Sequence, residues 1–76
     1  MTKSIFSGNY KSFRALLVKA RVDAGLTQAG LAERLSRPQS FVSKYERGER
    51  RLDVIEFIQV SQAMGLDPAM FLRKLL

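Results

Sequence analysis

Apolar residues recur at helical spacing along most of the chain, broken at regular intervals by residues that stop or start helices. Phe13, Leu16, Leu17, Ala20 and Ala24 fall on one helical face. Gly25 and the apolar Leu26 follow in the pattern of a Schellman stop. Thr27 is placed to cap a second, short helix with Leu31, Ala32 and Leu35 on its buried face. Ser36, Arg37 and Pro38 break the pattern, and Pro38 suits the first turn of a third helix over about 38–47. Its buried positions are Val42 and Tyr45, and Gly48 ends it. Asp53, with Glu56 three residues on, forms a capping box that opens a fourth helix, which Gly65 closes. Asp67 followed by Pro68 starts a fifth helix that runs to the C-terminus. No segment alternates with period two. The pattern predicts an all-α fold, a compact five-helix bundle over residues 10–76, preceded by a flexible N-terminal arm over residues 1–9.

Composition narrows the function. At 76 residues the chain has room for one small domain, and 46% apolar residues suit a globular one. Lys and Arg number 13 against 7 Asp and Glu, a net charge of +6. The excess is uneven: residues 1–51 carry about +7 and residues 52–76 about −1 by the same count. A basic part of this density points to a polyanionic partner. The chain has no Cys and no His, which excludes a disulfide scaffold, a Cys/His zinc site and any Ser-His-Asp or Cys-His catalytic arrangement. An enzyme is not expected, nor a metal, cofactor or small-molecule ligand. The N-terminus lacks the apolar core of a signal peptide, and the run Ala15–Val18 is far short of the roughly 20 residues of a membrane span. A cytoplasmic protein is expected.

Two short helices joined by a turn of about three residues, in a basic chain, describe a helix-turn-helix. The steep angle between them lets one helix enter the major groove while the other braces it across the backbone. Ala32 supplies the small residue at the crossing, and Leu31, Leu35, Val42 and Tyr45 lock the pair. The exposed face of the third helix then carries Gln39, Ser40, Ser43 and Lys44, either as base-contacting side chains or as a solvated face.

The run Gly25-Leu26-Thr27-Gln28, with Leu31-Ala32 after it and Ser43-Lys44-Tyr45-Glu46-Arg47-Gly48 at the following distance, resembles the Cro/repressor-type (XRE) helix-turn-helix family. The resemblance extends from about Phe13 to Leu66. It implies a lambda repressor-like bundle of four or five helices that binds operator DNA as a dimer. It places Gln28, beside Thr27, at a helix N-terminus that holds a phosphate. It assigns base contact to Gln39, Ser40 and Lys44, with Ser43 beside them. It makes Arg21 and Glu46 a buried structural ion pair. The basic residues around the third helix, Arg37, Arg47, Arg50 and Arg51, are read as phosphate contacts, or otherwise as solubilising charge. Lys3 and Lys11 are read as ordinary surface charge, although a basic arm can reach DNA.

The chain departs from the family pattern at four positions. Ser36 stands where members usually carry Gly, which predicts a strained or shifted turn. Pro38 replaces a capping Ser or Thr. Gly30 lies inside the second helix. Phe41 is large for an exposed position, and either touches a thymine methyl or packs against the turn.

The last two helices hold more apolar residues than one small core needs. Ile55, Phe57, Met70, Phe71, Leu72 and Leu75 are therefore expected at a homodimer interface, the alternative being that all pack inside. The expected function is a sequence-specific, dimeric transcriptional repressor that inserts the third helix into the major groove of a dyad-symmetric operator. The rival is a DNA-binding antitoxin or interaction module whose apolar C-terminal cluster holds a different protein.

Overall fold

The computed structural model describes residues 2–76, with side chains from Gly8 onward. Five helices follow one another: α1 (Thr2–Asp23), α2 (Gln28–Leu35), α3 (Gln39–Arg47), α4 (Val54–Ala63) and α5 (Pro68–Arg73), with no strand among the described residues. The expected all-α, five-helix architecture is what the chain adopts. The first helix, however, begins at Thr2 rather than after residue 9. No Pro interrupts residues 2–9, and a single Gly at position 8 costs a helix only about 1 kcal/mol. The segment expected as an arm is thus the first turns of α1 in its backbone; Met1 and the side chains of residues 1–7 lie outside the described residues.

Helix starts follow local chemistry. The Thr27 hydroxyl accepts from the Gly30 N–H at 2.9 Å, and the Asp67 carboxylate accepts from the Ala69 N–H at 2.9 Å. At α4 the box is complete: Asp53 accepts from the Glu56 N–H at 2.7 Å, and Glu56 accepts from the Asp53 N–H at 3.0 Å. Among α2 to α5, α3 alone lacks a side-chain cap, because its N-cap residue is Pro38.

Helix ends share one device. A Schellman pair of bonds closes α1 at Gly25, α2 at Ser36, α3 at Gly48 and α4 at Gly65. At α2 the Ser36 N–H donates to the Glu33 carbonyl and the Arg37 N–H to the Ala32 carbonyl, both at 3.0 Å. Ser36 has φ +55° and is the one non-glycine residue with positive φ among the described residues. A side chain in this region costs about 1–2 kcal/mol. Ser36→Gly is accordingly expected to raise stability by about 1 kcal/mol, seen in a thermal melt as a gain of roughly 4–8 °C. An unchanged or lower melting temperature would show that the turn is relaxed around serine.

The core lies where the five helices meet. Leu17 of α1, Leu31 and Ala32 of α2, Val42 and Tyr45 of α3, and Val60 of α4 are almost fully buried, with Met64 just after α4 beside them. Leu35 packs partly against this cluster. Tyr45 belongs to the core, as expected; its hydroxyl is buried without a partner among the described residues, and burial pushes its phenol above the usual pKa. Phe41 is also buried and meets Tyr45 edge-on at 5.5 Å. Of the two alternatives for Phe41, the structure selects packing.

The aromatic part of this core corrects the expected interface. Phe57 and Phe71 are 6% and 4% exposed. They close a triangle with Phe13, at centroid distances of 5.3 Å (Phe13–Phe57), 6.0 Å (Phe13–Phe71) and 5.6 Å (Phe57–Phe71). These rings bind α1, α4 and α5 to one another and are not available to a second subunit. The remaining interface candidates are outward: Ile55 is 63% and Met70 65% exposed, Leu72 is exposed, and Leu75 is half-buried.

Candidate nucleic-acid interface

The exposed side of α3 presents Gln39, Ser40 and Lys44, with Ser43 half-buried between them. Gln39 and Ser40 open the helix, and with no capping side chain at Pro38 their backbone N–H groups have no intrahelical acceptor. The N-terminus of α3 therefore presents both free donors and two polar side chains to the outside.

Behind this face runs a connected polar network. Arg21, near the end of α1, donates from Nε to Glu46 Oε2 at 2.8 Å and from Nη2 to Glu46 Oε1 at 3.2 Å. Its third donor, Nη1, reaches the Leu26 carbonyl at 2.8 Å. Gln28, the first residue of α2, donates from Nε2 to Glu46 Oε1 at 2.9 Å. Its Oε1 in turn accepts from Gln39 Nε2 at 3.5 Å, the long end of hydrogen bonding. The Arg21 and Glu46 side chains are 14% and 6% exposed, and the hydrogen bond Arg21 donates to Glu46 raises the Arg21 pKa above its ordinary value. Glu46 thus joins α1, the start of α2 and the end of α3. Gln28 is part of that network as well as standing at the α2 N-terminus. Thr27 spends its hydroxyl on the cap, and Gly30 gives that hydroxyl room, since a Cβ there would approach it to 3.2 Å.

The four arginines expected at phosphates divide. Arg47 is exposed, forks onto Glu49 at 2.9 and 3.0 Å, and donates to the Ser43 hydroxyl at 3.3 Å. Arg51 is exposed, and its guanidinium lies over the Tyr10 ring at 4.2 Å. Arg37 and Arg50 both turn to Phe41, at 4.3 and 4.9 Å from the ring centroid. Both also reach Glu56: Arg50 in a bidentate pair at 2.7 and 2.9 Å, Arg37 at 3.6 Å. Phe41, Arg37, Arg50 and Glu56 form a clamp that ties the helix-turn-helix to the start of α4. Periodicity could not show it, because it joins residues up to 19 positions apart (37 to 56).

Glu56 is the ionic centre of that clamp. The hydrogen bonds from Arg50, then from the Asp53 backbone, pull its carboxyl down to about 2. A carboxyl lowered in the folded state stabilises the fold fully above its unfolded value of about 4.3 and loses that contribution as pH falls toward 2. Urea unfolding of the wild type should therefore lose stability between about pH 4.5 and 2. Glu56→Gln, weaker at neutral pH, should show a flatter acid limb. Parallel acid limbs would place the titrating group elsewhere.

Lys11 and Arg14 were not expected in a site, yet both stand beside Arg47 and Arg51. Arg14 Nη1 donates to the Glu46 carbonyl at 3.2 Å and crosses Gly48 so closely that a Cβ there would come within 2.6 Å of it. The missed signal is the i, i+3 spacing of these two cations, which puts both on one face of α1.

Comparison with known proteins agrees with this geometry. The helix-turn-helix family profile matches residues 17–71. A solved structure described as an XRE-family like protein from Pseudomonas syringae pv. tomato str. DC3000 is 54% identical, with a TM-score of 0.92 over 97% of this chain and 90% of that one. No functionally curated protein matches. The fold and its exposed basic helix define a helix-turn-helix protein. The chain belongs to the helix-turn-helix family and is of the XRE type, a class of DNA-binding regulators and not of enzymes. Among the described residues, no helix is long and apolar enough to cross a membrane.

Proposed function

We propose that the protein is a cytoplasmic, sequence-specific transcriptional repressor that acts as a homodimer, each subunit placing α3 in the major groove. The observation that carries the reading is the uncapped N-terminus of α3. It presents Gln39, Ser40, Ser43 and Lys44 on one outward stripe, held from behind by Gln28 and the Arg21–Glu46 pair. Gln bonds adenine at two points, and Lys favours the acceptors of guanine. Thr27, Gln28, Arg47 and Arg51 surround the stripe as phosphate contacts. Arg37 and Arg50 serve mainly to position it, since both are committed to Phe41 and Glu56. The exposed Ile55, Met70 and Leu72, in the nearly neutral part of the chain, support a two-fold contact between subunits.

Selection of duplexes from a random pool at about 150 mM salt tests this reading. The expected result is a palindrome with half-sites about 10–10.5 bp apart. Gln39→Ala should then bind that site about 1–3 kcal/mol more weakly and lose preference at one base position. Unchanged preference would mean a different register for α3. The same exposed apolar residues support a second reading, a DNA-binding antitoxin or module that docks another protein; enrichment only in the presence of such a partner would favour it.

A further inference from the structure

Between α1 and the C-terminal end of α3 lies a recess of about 310 Å3, lined by Tyr10, Lys11, Arg14, Arg47, Gly48 and Arg51. Four of these six carry positive charge and none carries negative charge. Arg47 is paired with Glu49, but no carboxylate lies within ion-pair distance of Lys11, Arg14 or Arg51 among the described residues. Neutral groups hold the recess together instead. Arg14 donates to the Glu46 carbonyl, Arg51 stacks on Tyr10, and the Tyr10 hydroxyl accepts from the Leu52 N–H at 3.4 Å. Gly48 leaves the backbone bare where the Arg14 guanidinium crosses it. Like charges gathered by uncharged contacts raise the energy of the free fold, and a bound anion removes that cost.

The recess is continuous with the α3 face, because Arg47 at its edge also donates to the Ser43 hydroxyl. From Gln39 to Arg47 the helix rises about 12 Å, or roughly three to four base pairs of duplex. We propose that the recess binds a backbone phosphate of the DNA on which α3 sits, with Lys11 and Arg14 of α1 joining Arg47 and Arg51 around it. The proposal rests on the DNA-binding reading and adds α1 to the contact surface. Guanidinium forks suit the paired oxygens of a phosphate, and Lys11 adds an exposed charge at the rim.

The test is the salt dependence of binding to a labelled mixed-sequence duplex, between about 50 and 200 mM salt. The variants are Lys11→Gln, Lys11→Arg and the double variant Lys11→Gln with Arg51→Gln, each checked for native melting by circular dichroism. Among the described residues Lys11 makes no hydrogen bond or ion pair, so its replacement spares the fold. The slope of log K against log salt should shrink by about 0.9 for Lys11→Gln and about 1.8 for the double variant, and stay unchanged for Lys11→Arg. The weakening should be the same on every sequence. Slopes equal to wild type in folded variants would overturn the proposal. So would a titration in which inorganic phosphate shifts the amide resonances of Arg14, Gly48 and Arg51 while the DNA slopes stay equal, since the recess would then serve a free anion. If the slopes fall but the random pool shows no preferred site, the recess stands and the sequence-specific reading fails. A wild-type chain that binds no duplex overturns both.

Discussion

Glu46→Ala is expected to cost about 3–5 kcal/mol of folding free energy, out of roughly 4–11 kcal/mol for a domain of this size. The cost comes less from the lost attraction than from what remains. Arg21 is left with a mostly buried guanidinium whose Nε and Nη2 have lost their acceptor, and Gln28 loses the acceptor of its Nε2. In a thermal melt the midpoint should fall by at least about 12 °C. The companion measurement separates a stranded charge from a lost bond. Replacing both partners by apolar residues, Arg21→Met with Glu46→Leu, should recover most of the stability. The double variant should nonetheless bind its preferred DNA site poorly, because Gln28 no longer has a fixed partner behind Gln39. A single variant within about 1 kcal/mol of wild type would mean that solvent already screens the pair.

Phe57→Ala should be as damaging, at about 3–5 kcal/mol, because it removes the ring that touches both Phe13 and Phe71 and leaves a cavity between α1, α4 and α5. The contrast with its neighbour is the informative part. Ile55 lies two residues away and faces outward, so Ile55→Glu should change the stability of an isolated subunit by no more than about 0.5 kcal/mol. The same change should shift sedimentation equilibrium toward monomer if the exposed apolar patch pairs two subunits. Equal destabilisation by both substitutions at all protein concentrations would remove the distinction between core and surface on α4.

That distinction shows where the sequence was readable and where it was not. Caps and stops are short-range, so Thr27, the Asp53–Glu56 box, Asp67–Pro68 and the glycines after α1, α3 and α4 mark element ends correctly. The helix-turn-helix was readable for the same reason, because its signature lies within about 20 consecutive positions. The start of α1 was not, since polar residues without a proline do not exclude a helix; the approach of Lys11 and Arg14 to α3 was missed separately, because it depends on how α1 packs against α3. On α4, apolar residues occupy more than one face, so periodicity alone could not choose between Ile55 and Phe57 as the buried one. Phe41 was ambiguous because its burial depends on Arg37 and Arg50, and they in turn depend on Glu56 from the next helix.

The Schellman stops carry a consequence for how fast the fold forms. Each helix end is fixed by groups no more than five residues apart, as in the Leu26 N–H to Arg21 carbonyl bond at 3.1 Å. The stops of α1 to α4 are thus set by local bonds rather than by a long-range search. An unfolded copy has mainly local contacts to find, a low-contact-order problem that helical domains solve in microseconds to milliseconds. Brief transits through the unfolded state leave little time for exposed apolar surface on neighbouring copies to meet and aggregate.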